Sequence, residues 1–179
     1  MQLAPTDIHQ VLHALAGRFE QRAGDAGVEL EVIAEPGLNA RVDRLRVEQA
    51  LGNLLDNALR YGKGPVQMSA RDKGAQLELH VRDRGSGFSA QYLPRAFERF
   101  SRDDASRSDG GSGLGLAIVE AIARGHGGAA HVSNRDGGGA DASLLLATAK
   151  ELEPARLLAT PTSMRSNALR AGDGEELER

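Results

Sequence analysis

The chain has 179 residues, of which 40% are hydrophobic and 26% charged, with a net charge of −3 and no cysteine. That balance allows one ordinary domain with a real core, and it argues against wholesale disorder and against a protein that coats nucleic acid or an anionic membrane. Without cysteine there is no disulfide scaffold and no thiolate metal site; a reducing, cytoplasmic setting is expected. Apolar runs such as Leu144 to Ala147 fall far short of the ~20 residues of a membrane span, and Met1 to Pro5 lead into Asp7 and His9 rather than a signal-type apolar block.

In chain order, Pro5-Thr6-Asp7 reads as the entry to a helix that carries Ile8, Val11, Leu12, Leu15 and Phe19 on one face and stops at Gly24 to Gly27. Val28, Leu30 and Val32 alternate with Glu29 and Glu31 as a half-buried strand. Ala40-Arg41-Val42 is expected to run back beside it as a hairpin after Pro36-Gly37. Asp43 suits an N-cap for a second helix bearing Val47, Leu51, Leu54, Leu55 and Ala58, which ends at Tyr61-Gly62. Strands are predicted at Val66 to Arg71 and Leu77 to Arg82, joined by a turn at Asp72 to Gly74. A polar stretch follows with a short apolar patch at Phe88, Tyr92, Leu93, Phe97 and Phe100. Residues 101 to 112 read as a mobile loop. A glycine-led helix, a strand near Ala130 to Ser133, a turn at Gly137 to Gly139 and a strand at Ala142 to Ala147 complete the pattern. From about Lys150 it dissolves into a linker or disordered tail, so residues 1–149 are expected to form the domain and 150–179 the tail. The expected fold is α/β: a two-layer sandwich, with about three helices on one face of a mixed sheet of about five strands.

Three features point to one ligand. On the second helix Asn53, Asn57, Arg60 and Tyr61 fall within an arc of about 100°, opposite the leucines. Two carboxamides one turn apart suit a hard cation or its waters, an arginine beside them suits phosphate, and Tyr61 could cover a base. The plain alternative is a solvated polar face. At the end of a strand, Asp83 with Gly85 and Gly87 could accept a hydrogen bond from an exocyclic amine, although an aspartate with two glycines is also a turn signal. Third, Gly110-Gly111-Ser112-Gly113-Leu114-Gly115-Leu116 opens a helix, and the N–H groups of a helix start suit a phosphate chain. Arg102 and Arg107 precede it. It is no P-loop, because no lysine lies in the loop.

Taken together, these segments resemble the catalytic and ATP-binding domain of bacterial sensor histidine kinases, in the Bergerat-type superfamily that includes gyrase and heat-shock chaperone ATPases. The matching pieces are the Asn box (Asn53 to Tyr61), a first glycine box (Asp83 to Gly87), a phenylalanine box (Phe97 to Phe100) and a second glycine box (Gly111 to Leu116). The resemblance runs from about residue 3 to 149. It implies ATP and Mg2+ as ligands, with Asn57 as main metal ligand and Asn53 beside it. Arg60 would approach the phosphates, Tyr61 would pack on adenine, and Asp83 would take the adenine amine in a pocket shaped by Gly85 and Gly87. Phe97 and Phe100 would anchor a lid at 101–112. Arg102 would reach the γ-phosphate, and Gly113 and Gly115, with Gly111, Leu114 and Leu116 in the same box, would lie against the triphosphate. Ser101 departs from the aromatic residue common in relatives.

None of His9, His13, His80, His126 and His131 is followed by an acidic residue, as the family's phosphoacceptor is. The resemblance therefore implies a partner: a histidine-bearing dimerisation domain in the same protein or a separate chain, and a response regulator downstream. No nucleic-acid or membrane contact is expected of this segment. The alternatives are an anti-sigma-type serine kinase and a non-catalytic nucleotide-sensing module of the same superfamily.

Overall fold

The computed structural model describes residues 1–103 and 112–148. Ten helices and strands appear in it: β1 (Ala4–Asp7), α1 (Ile8–Asp25), β2 (Leu30–Ile33), β3 (Asn39–Val42), α2 (Arg44–Tyr61), β4 (Val66–Asp72), β5 (Gln76–Arg82), α3 (Gly115–Gly125), β6 (Ala129–Asn134) and β7 (Ala140–Ala147). A short 3-10 turn covers Leu93–Arg95.

Both long helices start where an aspartate caps them. Asp7 Oδ1 accepts from Gln10 N at 2.9 Å, and Asp43 Oδ1 accepts from Arg46 N at 3.3 Å. Each cap pairs one of the N–H groups a helix start leaves over. Beyond the caps, apolar residues at helical spacing bury one stripe of each helix: Ile8, Val11, Leu12 and Leu15 on α1, and Val47, Leu51, Leu54, Leu55 and Ala58 on α2.

The main sheet has the order β2-β4-β5-β7-β6; β2 and β4 are parallel and the other neighbours antiparallel. Strand alternation sends Val66, Met68 and Ala70, then Leu77, Leu79 and Val81, then Ala142, Leu144 and Leu146 into the core. Each such leucine contributes about 1.5–3 kcal/mol by leaving water. The helices cover that face, as the α/β two-layer reading expects. The opposite face is polar: His80 and Arg82 of β5 both bond Asp141 of β7, each at 2.7 Å.

One pairing differs from expectation. Ala40 to Val42 do not form a hairpin with the strand at Leu30–Ile33. Strand β3 instead pairs antiparallel with β1, in a separate two-stranded sheet. Thr6 and Val42 are buried there, and Ile8 N donates to Leu38 O at 2.8 Å. The chain before α1 is thus a strand rather than simply a helix entry. This leaves β2 free to take β4 as a parallel partner, a pairing that needs a long crossover, which β3 and α2 supply.

Candidate active site

Helix α2 ends against the first residue after β5. Any Cβ at Gly62 would collide with Ala58 O and with Asp83 Cβ, and one at Gly85 would come within 2.6 Å of Tyr61 O. These two glycines let the end of the helix and the Asp83 segment approach each other. Asp83 itself is buried. Its N–H donates to Ala140 O at 3.1 Å, its carbonyl accepts from Arg135 Nη1 at 2.8 Å, and Oδ1 accepts from Gly85 N at 2.7 Å and Ala140 N at 3.3 Å. Oδ2 has no hydrogen bond among the described residues. The carboxylate is thus oriented by one oxygen and offers the other.

After Gly87, Asn134 of β6 holds the chain with both ends of its amide. Its Oδ1 accepts from Phe88 N at 2.7 Å and its Nδ2 donates to Phe88 O at 2.8 Å. The Phe88 ring stacks on Tyr92 at 5.9 Å. Burial pushes the Tyr92 phenol above its usual value, so it remains a neutral donor and bonds Ala96 O at 3.4 Å. On the far side, Phe100 N donates to Gly113 O at 2.9 Å, which joins the two ends of the 101–112 loop. Gly113 has φ +67°, and any Cβ there would lie 2.8 Å from the Phe100 backbone, so only glycine fits.

Between these walls lies a cavity of about 550 Å³, within the range of small-molecule sites. Asn53, Asn57, Arg60, Tyr61, Asp83, Gly87, Arg102, Gly113, Gly115 and Leu116 all line it. Three arginines (22, 60 and 102) and three aspartates (56, 83 and 103) give it charge of both signs. Asn53 Nδ2 donates to Gly115 O at 3.4 Å, tying α2 to the start of α3. A Cβ at Gly115 would point at Asn53 and at the Asn57 amide from 3.9 to 4.0 Å. The missing side chain therefore leaves open a cradle between two carboxamides and a helix start. Two neutral oxygens are a thin donor set for magnesium, but one that fits when phosphate oxygens and waters fill the other positions.

Not every expected residue reaches the cavity. Gly85 packs behind it against Tyr61 O. Phe97 packs on the hydrophobic core. Leu114 is the N-cap of α3, and its N–H donates to Ser112 Oγ at 3.4 Å. Gly110, Gly111 and Arg107 lie outside the described residues. Phe100 corrects the expectation that it anchors the lid by its side chain: the residue is 72% exposed, φ is +63°, and its backbone N–H to Gly113 O is what ties the loop ends. Conversely, sequence reasoning missed Arg22 of α1, Asp56 of α2, and Ala140 and Ala142 of β7, all of which line the cavity, as does Ser101 at the start of the expected lid. Ser101 Oγ is enclosed with no hydrogen-bond partner among the described residues. Only Asp56, within the Asn box, carried a local signal.

The family model described as histidine kinase-, DNA gyrase B- and HSP90-like ATPase matches residues 42–150. The chain belongs to that ATPase family. A similar protein is the sensor histidine kinase component HK1 of Mycobacterium tuberculosis, 38% identical over 141 residues, or 79% of this chain and 82% of the relative. A probable sensor histidine kinase HK of the same species is also 38% identical, but the chain spans only 36% of its length. Among solved structures, full-length ShkA in complex with AMPPNP is 32% identical with a TM-score of 0.73, covering 83% of this chain and 32% of that one. Within this family, the present chain carries the histidine-kinase type of ATPase domain. Among its described residues no helix is long and apolar enough to cross a membrane.

Proposed function

We propose that this chain binds ATP with magnesium in the cavity between α2, the Asp83 segment and the start of α3, and transfers the γ-phosphate to a histidine of a dimerisation domain elsewhere in the same protein or on a separate chain. The observation that carries the reading is that Asn57, Asp83 and Gly113, from three distant stretches of sequence, line one cavity. The catalytic unit is taken as residues 1–149, with 150–179 outside it. A response regulator is the downstream partner, and the cytoplasm the setting of this segment.

The roles follow from the chemistry of each group. Asp83 accepts the adenine amine through Oδ2, which favours adenine over guanine; Gly87 lines the cavity where a flat base would lie, Gly85 shapes that pocket from behind by letting Asp83 close on the end of α2, and Tyr61 covers the base. Arg60 pairs with the phosphates, and Arg102 neutralises the charge on the γ-phosphate as it leaves. Asn57, with Asn53, would hold magnesium, which when bound shields the phosphate oxygens from one another. Gly113 and Gly115 admit the triphosphate to the backbone, and Gly111 belongs to the same stretch. Little covalent work falls on this chain: it positions the nucleotide and screens its charge, while the acceptor imidazole attacks phosphorus in line and ADP departs. The ShkA complex with AMPPNP, an ATP analogue, supports the ligand class.

Labelled ATP incubated with this chain and a separately expressed dimerisation domain is expected to place acid-labile phosphate on that domain and none on this chain alone. Stable label on one of its own five histidines would refute the division of labour. Acid-stable phosphate on the partner would favour a serine kinase.

A further inference from the structure

Arg22 comes to the cavity from α1, the helix that carries none of the sequence boxes. Its guanidinium carbon stands 4.9 Å from the centre of the Phe19 ring, and its Nη1 lies 2.6 Å from Asp56 Oδ1. That oxygen is closed off from solvent and makes no hydrogen bond among the described residues, so the contact with Arg22 is an ion pair without a directed N–H. The two side chains are 57% and 46% exposed. Pairs of that kind contribute little to stability and are exchanged cheaply.

The position of Asp56 says which part of a ligand Arg22 meets. Helix α2 runs toward Asp83, and its end at Tyr61 and Gly62 abuts Asp83 and Gly85. Asp56 lies six residues before Gly62, about 9 Å back along the axis, beside Asn57. Arg22 is therefore level with the carboxamides and away from the base-recognising carboxylate.

We infer that Arg22 binds the terminal phosphate of the nucleoside triphosphate, exchanging its ion pair with Asp56 for a phosphate oxygen. The inference rests on the ATP reading of the cavity. Asp56 is a positioning residue: it parks the guanidinium over Phe19 until the ligand arrives. A guanidinium keeps its charge at any working pH and presents five donors in a planar fork, while Asp56 engages one edge. A terminal phosphate carries more charge than a carboxylate and offers several oxygens to that fork. Arg22 then distinguishes a triphosphate from a diphosphate.

Calorimetry of the full chain with magnesium–AMPPNP and with magnesium–ADP tests this. Arg22→Gln is expected to weaken AMPPNP about tenfold or more and ADP less than about twofold. Arg22→Lys should fall between, because a point charge replaces a fork. Arg22→Gln with Asp56→Asn should remain as weak as Arg22→Gln alone. Equal losses for both nucleotides, or no loss, would overturn the inference. So would restored affinity in the double variant, which would make Arg22 only a neutraliser of Asp56. If the unaltered chain binds neither nucleotide, the reading of the cavity fails and the inference with it, an outcome distinct from a selective failure in the variants.

Discussion

Asp83 uses one carboxylate oxygen for the backbone N–H groups of Gly85 and Ala140, and the other, unbonded among the described residues, is the one proposed to meet the adenine amine. An asparagine there can preserve the first set while turning an NH2 toward the base. Asp83→Asn should therefore fold normally yet lose about 10- to 100-fold in ATP affinity, the scale of a hydrogen bond to a charged group. Calorimetry beside a thermal melt separates the two effects; a melt lowered as much as the affinity would mean the carboxylate is only structural. Gly113 makes a different demand. At φ +67°, with Phe100 backbone 2.8 Å from any Cβ, Gly113→Ala adds about 1–2 kcal/mol of backbone strain and breaks the tie to Phe100. Weaker nucleotide binding with little change in global stability is the expected result, read from the same pair of measurements.

Helix α2 is held at both ends by residues far away in sequence. At its start, Asp43 N donates to His126 Nε2 at 3.0 Å, while His126 Nδ1 faces Ile122 O at 2.8 Å. With one nitrogen accepting and the other bonded to a carbonyl, this buried ring is the neutral tautomer protonated at Nδ1. His126→Ala removes both partners from inside the protein and should cost about 2–3 kcal/mol; urea unfolding should show a lower midpoint at an unchanged slope. Helices α1 and α2 were legible in the sequence because their apolar spacing is strict and an aspartate marks each start. Strands β4, β5 and β7 were legible from their alternation and the turns beside them. Strand β1 was not: Ala-Pro-Thr-Asp has no alternation to read, and its partner lies beyond a whole helix and another strand. The parallel choice of β2 depends equally on distant residues. The same division runs through the site. The face of Asn53, Asn57, Arg60 and Tyr61 follows from helical geometry alone, whereas Arg22 and Ala142 reach the cavity only through tertiary packing and show no local pattern.

For the molecule as a whole, two part-buried carboxylates, Glu48 and Asp141, set the response to acid. Burial pushes the carboxyl of Glu48 up, but hydrogen bonds from Arg44 and Arg18 outweigh it and hold the group below its usual value. Asp141 behaves alike: burial opposes ionisation, and His80 and Arg82 more than reverse it. A carboxyl lowered on folding stabilises the protein above its unfolded value, near pH 4, and that contribution disappears as pH falls through the folded value. Stability should therefore drop on acidification below about pH 4, and Glu48→Gln with Asp141→Asn should flatten the drop in denaturation curves taken at pH 7 and pH 3. The sheet order has a consequence of another kind. Strands β5 and β7 lie side by side, yet more than fifty residues separate Arg82 from Ala140. Since Asp83 takes its orientation from Ala140 and Arg135, a chain emerging from the ribosome has no binding pocket until nearly all of the domain has been synthesised. Nucleotide cannot assist the early steps of folding; it can only lock the last one.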